Sequence, residues 1–252
     1  MQEKLVSIVM PAYNCDEFIS DAISSVQAQT YTDWELIIVD DASIDMTAEI
    51  CQKFAATDVR ILYIRQDHNM GVSEARNRAI RSAQGRYLAF LDSDDLWLPH
   101  KLERQIRFMQ SNGSAFTYTE YRQFYEDPAI PGKLICSRDS VDYHELLKGN
   151  DIGCLTVMID RKVFPHIEMP HVRHEDYVTW LNLLRGSGGC AYALHEDLAR
   201  YRKSHNALTA SKYRSFLWTW QVYRRAQKLS WVRSLYYLLH YVVRGIYKHY
   251  VK

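Results

Sequence analysis

The first ninety or so residues alternate between two hydrophobic periods. Leu5 to Met10 is an apolar run broken by Ser7 and ended by Pro11, the pattern of a strand buried on both faces. Asp16 to Gln29 places Phe18, Ile19, Ala22, Ile23 and Val26 on one helical face. Glu35 to Val39 reads as a second buried strand, stopped by Asp40-Asp41. Thr47 to Phe54 is helical again, and Val59 to Ile64 is a third strand. After the loop Asp67 to Gly71, Val72 to Ala83 reads as a helix with Gly85 in a C-cap position. Tyr87 to Leu91 is a fourth strand.

Strands and helices alternating at this spacing predict an α/β fold, a mostly parallel sheet flanked by helices. Ligands of such sheets bind beyond the carboxyl ends of the strands. The polar clusters fall at those ends: Tyr13-Asn14 after the first strand, Asp40-Asp41 after the second and Asp92-Ser93-Asp94-Asp95 after the fourth. From Ser114 the pattern weakens. Phe116 to Tyr125 reads as a strand, Tyr143 to Leu147 as a short helix and Cys154 to Ile159 as a strand. Arg173-His174-Glu175-Asp176 precedes a helical stretch from Tyr177 to Leu184, and a last strand leads into Arg200. The expected organisation is a half over 1–113 that carries these strand ends, a second half of the same domain over 114–212, and a basic aromatic helical tail over 213–252.

Charge changes the picture at that tail. The net charge is +1, yet residues 198–252 hold twelve Lys and Arg and no Asp or Glu. Such asymmetry points to a polyanion, either nucleic acid or an anionic membrane surface. The five cysteines are scattered, with no C-x-x-C pair, which supports neither a disulfide framework nor a structural zinc site and implies a reducing compartment. The N-terminus runs straight into a strand with no cleavable leader, and the longest apolar run, Ser234 to Val243, is too short to span a bilayer. The expected location is the cytoplasm, peripheral on the inner face of the membrane.

The chemistry centres on the acidic cluster. Two carboxylates one residue apart at a strand end suit a hard cation, Mg²⁺ or Mn²⁺, which keeps coordination positions free for substrate phosphates. By itself Asp-x-Asp-Asp is an ordinary acidic turn, and Asp40-Asp41 could equally cap a helix; their shared position at the edge of one sheet is what gives them weight. No G-x-x-x-x-G-K-[ST], G-x-G-x-x-G or G-x-S-x-G occurs where a P-loop enzyme, a nicotinamide dehydrogenase or a serine hydrolase would need it.

Four ordered segments, Val6 to Asn14, Ile38 to Ser43, Gly71 to Asn77 and Phe90 to Asp95, closely resemble the family 2 inverting glycosyltransferases of the GT-A (Rossmann-like) fold. Gly153 to Met158 and Glu175-Asp176 extend the likeness towards bacterial enzymes of surface-polysaccharide synthesis, teichuronic-acid-type transferases among them. The resemblance implies a nucleotide-sugar donor, expected to be a UDP-sugar, and a Mn²⁺ or Mg²⁺ cofactor. It implies that Pro11, Ala12, Tyr13, Asn14 and Asp41 hold the nucleotide, with Tyr13 stacking on the base and Asp41 accepting a base N–H. Arg76 would lie near the diphosphate or ribose, and Asp92 with Ser93 near the ribose and donor sugar. Asp94 would hold the metal, with His205 a second candidate ligand, and Arg202 would close over the diphosphate. Asp176 would be the base that deprotonates the acceptor; without the resemblance, Glu175-Asp176 is helix-start acidity favoured by the dipole.

Two rival readings stand beside this one. A sugar-nucleotide pyrophosphorylase would need a Gly-rich basic signature after the first strand, where Pro11-Ala12-Tyr13-Asn14 stands. A non-catalytic sugar-binding protein would not need Asp92, Asp94 and Asp176 together. In the tail, helical spacing sets Arg233, His240, Arg244 and Lys248 opposite Leu235, Leu238, Leu239, Val242 and Ile246. That suits a helix over 231–252 lying on an anionic bilayer, apt for a polyprenyl-diphosphate-linked saccharide acceptor. The alternative is packing on the catalytic domain or on a second subunit in a homo-oligomer. Nucleic acid is not expected, because no recognition motif accompanies the charge.

Overall fold

The computed structural model describes residues 1–130, 132–203 and 212–250, with the side chains of 212–215 and 245–250 outside the description. The chain opens with β1 (Gln2–Ala12), α1 (Ile19–Gln27), β2 (Trp34–Asp40), α2 (Thr47–Thr57), β3 (Ile61–Arg65), α3 (Val72–Ser82) and β4 (Gly85–Phe90). It continues with β5 (Leu96–Trp97), α4 (Lys101–Asn112), β6 (Phe116–Phe124), β7 (Leu134–Ile135), β8 (Ser140–Val141) and α5 (Tyr143–Leu147). A 3₁₀ turn (Cys154–Thr156) leads to β9 (Met158–Asp160), α6 (Glu175–Ser187) and β10 (Ala191–Arg202). The chain ends in α7 (Lys212–Gln221), a π-helical turn (Val222–Ala226) and α8 (Trp231–Tyr250).

One sheet runs in the order β3-β2-β1-β4-β9-β6-β10-β5, with β7 on β6 and β8 on β10. From β3 to β4 the pairing is parallel, whereas β9 is antiparallel to both of its neighbours. Apolar residues cover both faces, as a sheet with helices on each side requires. Val9, Ile37, Val39 and Phe90 meet Trp180 and Leu181 on one face, while Ile8, Met10, Leu36 and Ile38 meet Ile19, Ile23 and Val26 on the other.

Several local expectations are corrected. Pro11 does not end β1 but pairs with Val39. Pairing with β4 stops at Val9, so the missing N–H removes no bond on that side. Gly85 is no C-cap. It begins β4 where a Cβ would sit 2.4 Å from the Leu5 carbonyl oxygen, so only glycine fits. Val59 is fully exposed, and β3 starts only at Ile61 because the Asp58 carboxylate turns the chain by accepting from the Arg60 backbone and guanidinium. Cys154–Ile159 is not one strand. Thr156 donates from both its N–H and its hydroxyl to the Gly153 carbonyl, which closes the 3₁₀ turn before β9.

The tail also differs from its expected faces. Ser234, Tyr237 and Leu238 of α8 are buried, Tyr237 bonds His144 at 2.8 Å, and Arg244 pairs with Glu145 at 2.9 Å. Leu238 therefore belongs to the packed edge, and Arg244 to an internal ion pair. Val232, Leu235, Tyr236, Leu239, Val242 and Val243 remain exposed. No helix among the described residues is long and apolar enough to cross a membrane.

Candidate active site

At the carboxyl edge of the parallel strands, the ends of β1, β2 and β4 and the start of α3 enclose a cleft of about 320 Å³. Pro11, Ala12, Tyr13, Asp41, Arg76, Asp92, Ser93 and Asp94 all line it, together with Asn69 and Gly71. Eight of the residues singled out in the sequence are thus brought to one place.

Asp41 is held by the loop it faces. Its carboxylate accepts from Gln66 Nε2 (2.5 Å), Met70 N (2.7 Å) and Gly71 N (2.8 Å). A carboxylate has about four acceptor positions, so one remains, on Oδ2, for a ligand N–H. Asp40 is committed elsewhere, to Tyr63 OH (2.7 Å) and Ser43 N (2.9 Å). Tyr13 stands half-exposed at the mouth of the cleft, its ring open to a ligand. Asn14 turns away instead: with φ 46° it ties β1 to the next loop, accepting from Ile44 N and donating its own N–H to Ser43 Oγ.

Arg76, on the buried face of α3, connects two halves. Its guanidinium reaches Asp92 at 2.6 Å and Glu175 at 2.5 Å, and its Nε is buried without a partner. Glu175 opens α6, ninety-nine residues later, so no motif near Arg76 announces it. Arg76 and Asp92 also belong to a second pocket of about 350 Å³, lined by Tyr121, Asp151, His174, Glu175, Asp176 and Tyr201 among others. Asp176 is half-buried in it, and its low-dielectric surroundings push its carboxyl up to about 6 against the pull of Arg76. Its one protein hydrogen bond among the described residues comes from Tyr177 N, at 2.7 Å. His174 adopts a left-handed conformation, φ 59°, with its Nε2 buried and unpaired. Side chains strained in this way concentrate at functional sites. Neither His174 nor the pocket's tyrosines carried a sequence signal, because each arrives from a different element.

The acidic loop after β4 divides its work. Asp95 is fully buried and receives Arg202 N at 2.8 Å, and burial with the charge of Asp94 holds its carboxyl well above the usual range. It is a structural anchor. Arg202 lies between the rings of Phe18 and Phe124, with its Nε on the Asp94 carbonyl at 2.9 Å. It braces the loop from behind and does not line the nucleotide cleft. His205 lies outside the described residues. The Asp94 carboxyl is pushed up by burial and by the neighbouring Asp92 charge, a repulsion that a cation would relieve. Among the described residues no three His, Cys, Asp or Glu side chains form a complete cation site. The donor set therefore fits an ion bound by one or two carboxylates plus substrate phosphate and water, the habit of Mg²⁺ and Mn²⁺.

Comparison with known proteins agrees with this geometry. The profile of glycosyl transferase family 2 matches residues 7–164. The chain is 41% identical over 245 residues to a putative teichuronic acid biosynthesis glycosyltransferase of Bacillus subtilis (strain 168), covering 97% of each. It is 39% identical over 249 residues to an Escherichia coli UDP-Glc:alpha-D-GlcNAc-diphosphoundecaprenol beta-1,3-glucosyltransferase, covering 99% of this chain and 96% of that one. The structure of S. aureus TarS 1-349 in complex with UDP-GlcNAc is similar with a TM-score of 0.71 and 17% identity, over 99% of this chain and 73% of that one. At that identity the likeness is one of fold, and the GT-A fold expected from the sequence is the fold adopted.

Proposed function

Because the chain belongs to glycosyl transferase family 2 and is a glycosyltransferase, we propose that it moves a sugar from a UDP-sugar, with inversion, to a hydroxyl of a lipid-linked saccharide. The observation that carries this reading is the Asp92–Arg76–Glu175 bridge, which sets the nucleotide cleft and the Asp176 pocket side by side with a common wall. A donor lying in the cleft would present its anomeric carbon at that wall. From the far side, Asp176 would take the proton of the acceptor hydroxyl as that oxygen bonds to the anomeric carbon and the electron pair of the broken bond leaves on the nucleotide diphosphate. Tyr13 and Asp41 would hold the base. Asp94 would hold the divalent cation, which when bound neutralises charge on the leaving diphosphate. The activities named for the two relatives, teichuronic acid biosynthesis and transfer to a diphosphoundecaprenol-linked sugar, support a membrane-linked acceptor. The exposed apolar side of α8 supports peripheral contact with the membrane's inner face.

The test is turnover of UDP-sugars with GlcNAc-diphosphoundecaprenol and Mn²⁺, with the product anomer assigned by NMR. Inversion, with loss of turnover in Asp94→Ala, is the expected result. A retained anomer, or full turnover in the presence of chelator, would overturn the reading.

A further inference from the structure

A third cavity, of about 480 Å³, opens on the other side of Arg173-His174, between α6, α7 and the π-helical turn. Its walls carry Arg173, Arg225 and His171, with Asn182 and Gln221 as neutral partners, and no carboxylate. Arg173 and Arg225 are exposed, and neither forms an ion pair among the described residues. His171 makes one contact with an acid, Glu74 at 3.4 Å, and Glu74 also holds Arg81. Trp218 lines this cavity, with the Arg173 guanidinium 5.4 Å from its ring, and it also lies 5.6 Å from the ring of His174, which lines the Asp176 pocket. Behind the cations the wall turns apolar, with Val172, Val178 and Val222. The backbone there is a π-helical turn, a form that recurs at functional sites.

Two uncompensated guanidiniums on an apolar floor match a phosphorylated lipid better than a sugar, which would want mixed donors and acceptors. Arginine forks pair with phosphate oxygens two at a time. We propose that this cavity seats the diphosphate of the lipid-linked acceptor, with Arg173 and Arg225 on the phosphate oxygens and the first isoprenyl unit on Val172, Val178 and Val222. The assignment rests on the acceptor reading above and names its site. Position supports it: three Cα steps separate Arg173 from Asp176, so the two lie within about 11 Å. A sugar whose hydroxyl meets Asp176 thus has its own diphosphate within reach of Arg173. From the cavity, Trp220 of α7 packs against Trp231 at 5.2 Å, and the exposed apolar side of α8 begins there.

The experiment titrates farnesyl diphosphate into the full chain by calorimetry, with chelator and saturating UDP present, and repeats it with Arg173→Ala/Arg225→Ala. Both arginines are exposed, so their removal leaves the core intact. Binding by the parent chain, weakened about tenfold or more in the variant as expected for lost charge-assisted bonds, is the expected result. The idea is overturned if farnesyl diphosphate does not bind, if UDP displaces it, or if the variant binds as well. Inorganic diphosphate binding as tightly as farnesyl diphosphate would overturn the lipid part of the assignment. With GlcNAc-diphosphoundecaprenol the variant should raise the acceptor KM about tenfold and leave the donor KM unchanged. A parent chain that binds farnesyl diphosphate yet uses only acceptors lacking diphosphate would overturn the acceptor reading itself, an outcome distinct from failure of the arginines.

Discussion

The two sides of the Arg76 bridge hold their carboxylates in opposite ways. On the nucleotide side, three backbone and amide donors of one neighbouring loop hold the Asp41 carboxylate and leave one acceptor position, so its place follows from local geometry. On the acceptor side, Asp176 has a single protein donor and a carboxyl raised to about 6 by burial. A group that only binds gains from being fully paired; a group that must accept a proton gains from being kept unpaired and poorly solvated. The contrast separates a recognition half from a reacting half, and it fails if substitutions on the two sides act alike.

Removing the base should have the largest effect. Asp176→Asn keeps shape and the Tyr177 contact but cannot take a proton, so kcat should fall about 10²–10⁴-fold, with the donor KM little changed. A steady-state comparison at saturating UDP-sugar checks this, and a kcat within a few-fold of the parent would remove Asp176 from the role.

Arg76→Met should come next, and it acts on the fold itself. Taking away a buried cation leaves Asp92 and Glu175 facing each other without a counter-charge, and breaking a pair of this kind costs about 3–5 kcal/mol. Urea unfolding reads the loss directly. Asp41→Ala belongs to the same rank for a different reason: it strands the Met70 and Gly71 N–H groups and the Gln66 amide. Of these the Gln66 amide is buried and its loss of a partner costs about 1–3 kcal/mol, while the part-buried Met70 and Gly71 N–H groups can turn to water and add less. Unlike Asp176→Asn, it should raise the donor KM more than it lowers kcat.

How far the site could be read from the sequence follows the same division. Pro11, Tyr13, Asp41 and Asp92 to Asp94 sit at the ends of parallel strands, where position in the chain nearly determines position in space. Glu175, His174 and Tyr201 meet Asp92 only because β9 runs antiparallel into the sheet and returns the chain through α6 and β10. No periodicity encodes that pairing. Arg202 shows the limit from the other side. The family resemblance implies a basic residue closing over the diphosphate, whereas Phe18 and Phe124 hold the Arg202 guanidinium against the acidic loop. The amphipathic pattern of α8 was legible as a pattern but not in its orientation. Tyr237 finds His144 and Arg244 finds Glu145, and those partners decide which edge packs.

The smallest effect is the one that titrates. The Asp176 carboxyl, raised to about 6, loses its proton later than an ordinary aspartate as pH rises, so the active, deprotonated fraction falls once pH drops below that value. Activity should therefore lose about tenfold or more for each pH unit below 6 as Asp176 takes up its proton. Binding of the intact UDP-sugar, whose diphosphate is esterified at both ends and takes up no proton in this range, should stay level between pH 7 and 6 while turnover begins to decline. Parallel loss of binding and turnover across that interval would mean that protonation acts on both sides at once, and the distinction between the recognition side and the reacting side would not hold.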